Sequence, residues 1–233
     1  MPIRDRVLTA VLCVLLPGAL AASGPAAAQE PRPEFRLVSP PQPTDDPQKI
    51  EVVEFFSYGC PHCAHFYPLV SAWSAKLPKD VVFRRVAVSF GRPPWENLQR
   101  AFYALRATGD LARLDGPLFH AIHEEQLPLF YAQPIAEWVG KNGGNAEAFT
   151  NAYVSFGVNN QTVQADDMAV RFAVDSIPAM AVDGRYVAQA NPDPGEVPYL
   201  TELLANTDKL IARVRAERPL SGSVAVNWCR CRA

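Results

Sequence analysis

The residues of this 233-residue chain best suited to chemistry are two cysteines three positions apart. Cys60 and Cys63 lie in the segment FFSYGCPHCAHF, with His62 between them. A Cys-x-x-C pair can form half of a zinc site, an inert disulfide, or a pair that cycles between dithiol and disulfide. Of the other cysteines, Cys13 lies in the N-terminal segment described below as a signal peptide, and Cys229 and Cys231 lie far along the chain with a different spacing, which disfavours a four-ligand zinc site. The spacing therefore favours a redox pair.

The position of Cys60 favours an ionised sulfur. The apolar and β-branched run from Ile50 to Phe56 predicts a buried strand, and residues 61–77 predict a helix, so Cys60 falls at the N-terminus of this helix. Free amide groups and the positive end of the helix dipole stabilise an anion there, and a thiolate is such an anion. Because only the dithiol form carries this charge, its stabilisation makes the disulfide easy to donate.

Neighbouring residues are expected to tune the pair. The imidazole of His62 can give a hydrogen bond or a positive charge to the sulfur of Cys60. Pro61 suits the first helical turn, where a proline loses no hydrogen bond. Cys63, one turn further, is expected to be shielded and to resolve or re-form the disulfide. Glu54 is a carboxylate in the apolar strand, which predicts either a buried proton carrier for Cys63 or an outward-facing charge.

The surrounding pattern predicts an α/β protein. Strand patterns occur at residues 50–56, 81–88, 177–182 and 185–189, with an edge strand at 35–38 and an Asp-Gly hairpin turn at 183–184. Between the second and third of these strands, amphipathic segments predict helices at about 95–107, 110–125, 134–142, 145–156 and 161–174. A last helix is predicted at about 197–218. Glu51 is expected to face away from Glu54 and to be solvated.

The motif resembles the active-site segment of the DsbA family of thioredoxin-fold disulfide oxidases. The similarity rests on EFFSYGCPHC at residues 54–63 and on SIPA at 176–179, where that family has a hydrophobic residue and a cis-proline. The segments PLF at 117–119 and VDGRY at 182–186 are also similar, and the likeness covers about residues 48–216. The family is itself a standard example of a lowered cysteine pKa.

The resemblance implies a thioredoxin-like fold with a helical domain inserted between the second central strand and the strand of the cis-proline. From the resemblance and from the residue composition of the two ends, the chain is predicted to divide into six segments: a signal peptide (1–28), a proline-rich lead-in (29–47), the first part of the thioredoxin-like domain (48–90), the inserted helical domain (91–174), the second part of the thioredoxin-like domain (175–218) and a C-terminal tail (219–233).

The resemblance also implies where clients bind. A cis bond between Ile177 and Pro178 brings the backbone of Ile177 beside the disulfide, ready to pair with a client strand. Tyr58 and Pro61 are expected to line the same groove.

In the inserted region, His120, His123 and Glu124 have helical spacing that could ligate a metal, but such a pattern is more typical of a solvated helix face.

The N-terminus indicates export. Basic residues Arg4 and Arg6, an apolar run at 7–16 and the small residues Ala26 to Ala28 match a cleaved signal peptide. The apolar run ends at Pro17, short of the ~20 residues that span a bilayer. Disulfides persist in the compartment such a chain reaches. A formal net charge of -2 gives no reason to expect nucleic acid as a partner.

Together these features predict a periplasmic dithiol oxidase that donates the Cys60–Cys63 disulfide to unfolded exported proteins with cysteine pairs. The resemblance implies reoxidation by the membrane oxidase DsbB, no cofactor or metal in this chain, and a monomer. One alternative is a disulfide isomerase or reductase, although residues 29–47 are too few for the added dimerisation domain usual in those relatives. The other is a metal-binding chaperone that uses the two cysteines. The tail pair Cys229 and Cys231 is expected to be mobile, without a defined role.

Overall fold

A computed structural model describes residues 33–191 and 195–218 of the chain. The predicted signal peptide and the tail with Cys229 and Cys231 lie outside the described residues. The described strands are β1 (Phe35–Leu37), β2 (Ile50–Phe56), β3 (Val81–Ala87), β4 (Ala179–Val182) and β5 (Tyr186–Ala188). The described helices are α1 (Pro61–Ser74), α2 (Pro93–Thr108), α3 (Leu111–His123), α4 (Ala132–Lys141), α5 (Ala146–Tyr153), α6 (Phe156–Arg171) and α7 (Glu196–Glu217).

The five strands form one mixed sheet in the order β1-β5-β4-β2-β3. Strand β2 runs parallel to β3, because helix α1 carries the chain back between them. Strands β4 and β5 form an antiparallel hairpin, and β4 lies antiparallel to β2. The predicted edge strand is confirmed as β1, which pairs with β5. Strand β2 therefore lies inside the sheet, between β4 and β3, and all seven of its residues are buried.

Helices cover both faces of the sheet. On one face, Val52 of β2 packs in a cluster with Phe66 and Val70 of α1 and with residues of α7. On the other face, Phe55 packs in a second cluster with residues of α2 to α6, such as Phe102, and with Phe172, which directly follows α6. Helices α2 to α6 follow β3 and precede β4 in the chain, which confirms the predicted helical insertion. None of the helices within the described ranges is long and apolar enough to cross a membrane.

One expectation about the central strand is wrong. The sequence predicts a solvated Glu51, but this residue is only 1% exposed. Its two carboxylate oxygens accept hydrogen bonds from Nε and Nη2 of Arg84 on β3, at 3.0 and 3.2 Å. Glu51 is shielded because helices cover both faces of the sheet and Arg84 binds its carboxylate.

Candidate active site

The turn between β2 and α1 positions Cys60. Cys60 is the N-cap of α1, with extended backbone angles (φ -96°, ψ 117°), and Pro61 is exposed at the start of the helix. The backbone N–H of Cys60 donates to the carbonyl of Ser57 at 3.1 Å, which closes the turn. Gly59 is required in this turn, because a Cβ atom there would lie 2.6 Å from Nε1 of Trp95. The strand-to-helix junction expected from the sequence is confirmed.

The two cysteines, both free thiols in this structure, have opposite electrostatic surroundings. The pKa of Cys60 is lowered to about 6, first by a hydrogen bond from the thiol of Cys63, then by the backbone N–H groups of Cys63 and His62 and by the charge of His62. Burial raises the pKa of Cys63 well above its ordinary value, and the neighbouring Cys60 adds to this effect. Cys63 is fully buried. Cys60 is therefore suited to be a thiolate and Cys63 to remain a thiol.

The loop that contains Ile177 and Pro178 is distant from Cys60 in the sequence but lies against it in the structure. The peptide bond between Ile177 and Pro178 is cis, as expected from the sequence resemblance. The thiol of Cys60 donates to the carbonyl oxygen of Ile177, with 3.6 Å between sulfur and oxygen. Ile177 is half-buried and Pro178 is buried. Pairing of β4 with β2 places this loop beside the start of α1, because Ala179 lies opposite Phe55.

The imidazole of His62 acts on the sulfur of Cys60 through its charge, which is one of the two effects expected from the sequence. Its Nδ1 lies 2.6 Å from Oε1 of Glu196, the first residue of α7. Nδ1 of His65 lies 2.9 Å from the same oxygen. The hydrogen bond to Glu196 raises the pKa of His62. Sequence analysis missed Glu196, because 134 residues separate it from His62 and no local pattern marks it.

Glu54 is fully buried beneath the cysteines, as one of the two sequence interpretations required. Burial raises its pKa, although Arg85 of β3 opposes this shift. Nε of Arg85 donates to Oε2 of Glu54 at 2.6 Å, and Nη1 of Arg85 donates to Oδ2 of Asp115 at 2.5 Å. The other carboxylate oxygen of Glu54 has no hydrogen-bond partner among the described residues. The negative charge of Glu54 contributes to the raised pKa of Cys63.

The expectation that Tyr58 lines a client groove is wrong for its side chain. Tyr58 is 1% exposed, and its hydroxyl donates to Oδ1 of Asp115 at 2.5 Å. Its ring packs against that of Phe119, with the centroids 4.7 Å apart. The helical insertion supplies both partners, so the burial of Tyr58 depends on contacts that the local sequence does not show.

The histidines of α3 do not form a metal site. His120 is exposed and its Nδ1 lies 2.9 Å from Oε1 of Glu125. Nε2 of His123 donates to the backbone carbonyl of Tyr58 at 2.7 Å, so this histidine supports the turn before Cys60. Throughout residues 33–191 and 195–218, no group of three or more His, Cys, Asp or Glu side chains is arranged to hold a metal ion.

Comparison with known proteins decides the family. A family model described as a DSBA-like thioredoxin domain matches residues 51–196. The chain belongs to the DsbA family. The thiol:disulfide interchange protein DsbA of Bordetella pertussis is 34% identical over 212 residues, which cover 88% of this chain and 100% of the relative. The DsbA of Pseudomonas aeruginosa is 35% identical over 213 residues, covering 91% of this chain and 98% of the relative.

Solved DsbA structures have the same fold. The crystal structure of Pseudomonas aeruginosa DsbA matches with a TM-score of 0.72 and 36% identity, covering 78% of this chain and 93% of that one. The Xylella fastidiosa DsbA structure matches with a TM-score of 0.72 and 30% identity, covering 78% and 96%. The predicted thioredoxin-like fold with inserted helices is therefore confirmed. As a DsbA family member, the chain is a thiol:disulfide oxidoreductase.

Proposed function

We propose that this oxidoreductase works as a periplasmic dithiol oxidase, which donates the Cys60–Cys63 disulfide to newly exported proteins. The observation that carries the proposal is the contrast between the two cysteines: the pKa of Cys60 is lowered to about 6, whereas that of Cys63 is raised. A stabilised thiolate exists only in the reduced enzyme. Its stabilisation therefore favours the dithiol and makes the disulfide a good oxidant.

The reaction consists of two thiol–disulfide exchanges. A client thiolate attacks the sulfur of Cys60, forms a mixed disulfide and displaces Cys63, which takes up a proton. A second client thiolate then attacks the client sulfur of the mixed disulfide and displaces Cys60 as a thiolate. Two electrons pass from the client thiols to the enzyme pair. Of the two client protons, one ends on Cys63 and the other goes to solvent.

Clients are proposed to bind through their backbone. The carbonyl of Ile177 lies beside the sulfur of Cys60, where an extended client segment could pair with the cis-proline loop. Pro61, exposed at the start of α1, and Pro178 border this position. Backbone pairing makes little use of client side chains, which suits an enzyme that acts on many unfolded proteins with cysteine pairs.

Glu54 is proposed to carry the proton that Cys63 gains and loses. Its full burial and its raised pKa support this role, because a carboxyl group with a pKa nearer neutrality exchanges protons more readily at physiological pH. The role is confined to the buried cysteine, since the pKa of Cys60 is low enough for it to ionise without a base.

The wider setting is proposed from the sequence and the family. The signal-peptide pattern of residues 1–28 supports export to the periplasm. Reoxidation by the membrane oxidase DsbB, action as a monomer without a cofactor, and the absence of nucleic acid partners complete the proposal. The comparisons do not favour the alternative of an isomerase or reductase.

Equilibration with glutathione tests the direction of the reaction. The chain with Cys229→Ser and Cys231→Ser is mixed with reduced and oxidised glutathione, and the fraction of reduced Cys60–Cys63 is measured by thiol trapping. An oxidase loses its disulfide to mildly reducing mixtures, whereas a reductase keeps it until the mixture is strongly reducing. A second assay follows the oxidation of a two-cysteine peptide in the presence of a metal chelator. Retention of the disulfide in the first assay contradicts the proposal.

A further inference from the structure

Glu196 connects the redox helix α1 to helix α7. A single oxygen, Oε1, lies 2.6 Å from Nδ1 of His62 and 2.9 Å from Nδ1 of His65. The same two helices are joined further along by Nε1 of Trp73, which donates to Oδ1 of Asp208 at 2.8 Å. Glu196 thus joins the two helices at the start of α1, where the cysteines lie.

The location of Glu196 favours a negative charge. It is the first residue of α7, where the helix dipole stabilises an anion. Its side chain is 32% exposed, which is less than the 64% of His62 and the 56% of His65. Hydrogen bonds from His62 and then His65 lower the pKa of Glu196. The carboxylate is therefore ionised and bound to both rings at neutral pH.

A carboxylate bound at Nδ1 does two things to an imidazole. It fixes the orientation of the ring, and it favours the protonated form. An exposed histidine without such a partner samples several rotamers and is mostly neutral at pH 7, since its ordinary pKa is about 6.5.

We propose that Glu196 is a positioning residue that holds the imidazole of His62 beside the cysteine pair and keeps it charged while Cys60 is a thiolate. The inference rests on the proposed oxidase function, because it concerns how that function reaches its oxidising strength. The positive charge of His62 lowers the pKa of Cys60, and the charge of Cys60 in turn raises the pKa of His62. The two charges coexist only in the reduced enzyme.

The charge balance explains why this arrangement favours oxidation of the client. In the disulfide form, Cys60 carries no charge and the imidazolium has only Glu196 as its partner. When Cys60 leaves as a thiolate, the imidazolium is already present and needs no new proton. Within the part of the chain that the structure describes, the ionisable groups that act on the pKa of His62 are Glu196 and Cys60, and His65 shares Glu196 with it.

The dependence on pH gives a specific signature. The pKa of His62 is raised, so its charge is present below that pKa and is lost as the pH rises through it. In Glu196→Gln, the pKa of His62 is expected to fall, because the ring loses the carboxylate that stabilises its charge. Well below that pKa His62 is charged in both proteins, and well above it His62 is neutral in both. The two proteins should therefore differ most near pH 7.

The experiment measures two quantities in the chain with Cys229→Ser and Cys231→Ser. NMR titration of the imidazole of His62 in the reduced protein gives its pKa. Equilibration with glutathione at pH 5.5, 7 and 9 gives the constant for reduction of the Cys60–Cys63 disulfide. At each pH the constant of Glu196→Gln is divided by that of the protein with Glu196. We expect this ratio to be about two-fold lower at pH 7 than at pH 5.5 and 9.

Three controls separate this role from a structural one. Asp208→Asn removes a charge from the same helix interface without touching either histidine, and it should leave both quantities unchanged. In a His62→Asn background, Glu196→Gln should produce only an offset that is the same at all three pH values. His65→Asn should preserve the pH-dependent difference. An unchanged pKa of His62 in Glu196→Gln, or an offset independent of pH with His62 present, overturns the proposal. Neither result bears on whether the enzyme is an oxidase, since that depends on the unmodified protein.

Discussion

The sulfur of Cys60 lies 3.6 Å from the carbonyl oxygen of Ile177, although 117 residues separate the two in the chain. The contact exists because β4 pairs with β2 and thereby brings the cis-proline loop to the N-terminus of α1. It places a reactive sulfur beside the backbone of the half-buried residue Ile177. The predictions below concern the groups that set the reactivity of that sulfur and the groups that only support it.

The first prediction concerns the hydrogen bond between the two cysteines. The thiol of Cys63 is the largest contributor to the lowered pKa of Cys60. Replacing Cys63 by alanine should raise the pKa of Cys60 by about 1 to 2 units, since a hydrogen bond to a charged group contributes ~1.5–3 kcal/mol. Ultraviolet absorbance of the thiolate during a pH titration measures the change.

Cys63→Ser is the matched control, because its hydroxyl can still donate to the sulfur. It should raise the pKa of Cys60 less than Cys63→Ala does. Equal pKa values for the two variants would show that packing, and not the hydrogen bond, controls the ionisation of Cys60.

The second prediction concerns the stability of the reduced protein. The pKa of Cys60 is lowered to about 6 in the fold, so its contribution to stability is present above the pKa of the unfolded chain and is lost as the pH falls through about 6. Between pH 6 and 8, the free energy of unfolding of the dithiol form should rise relative to that of the disulfide form by a few kcal/mol. Chemical denaturation of both forms measures it.

Cys60→Ala provides the comparison for this pH dependence. It lacks the ionising sulfur, so its stability should not follow the rise between pH 6 and 8. If the variant and the reduced parent protein show the same dependence, another group is responsible.

The third prediction tests Glu54 against Glu51. Both are buried carboxylates of β2 that pair with arginines of β3, but only Glu54 acts on Cys63. Glu54→Gln and Glu51→Gln should each destabilise the fold by about 1.5–3 kcal/mol, since each removes a charged hydrogen-bond partner from an arginine that keeps a second carboxylate, Asp115 for Arg85 and Asp45 for Arg84. Only Glu54→Gln should slow the attack of Cys63 on a mixed disulfide at Cys60, by about tenfold.

The rate of that attack is measured by mixing the reduced protein with oxidised glutathione in a rapid-mixing instrument. Glu51→Gln is the control for the loss of a buried ion pair. Equal rates in the two variants would show that Glu54 takes no part in the reaction and has only a structural role.

The fourth prediction concerns Tyr58. Tyr58→Phe removes the hydroxyl that donates to Asp115 and leaves that buried carboxylate short of a donor. The free energy of unfolding should fall by about 1–3 kcal/mol. Because the side chain is buried, peptide oxidation should keep its rate, within about two-fold, at a temperature where the variant is folded. A large loss of oxidation rate in folded Tyr58→Phe would show that Tyr58 contributes to the client site.

Much of the fold and the reactive pair could be predicted from the sequence. The run from Ile50 to Phe56 has the composition of a buried strand, and Pro61 marks the start of a helix, so the position of Cys60 follows from local rules. The cis bond at Ile177 was expected only through the family resemblance, since a local pattern cannot distinguish it from a trans bond.

The chemistry at Cys60 and Cys63 and the order of the elements that carry it follow from the amino-acid sequence, because spacing, helix starts and hydrophobic periodicity act over a few residues. The charges that surround the pair follow from the packing of distant elements. Glu196 reaches His62 and Asp115 reaches Arg85 across 134 and 30 residues, and the burial of Glu51 and Tyr58 depends on helices that cover them from elsewhere in the chain. Such contacts arise from packing between distant elements, which leaves no periodic signal in the sequence.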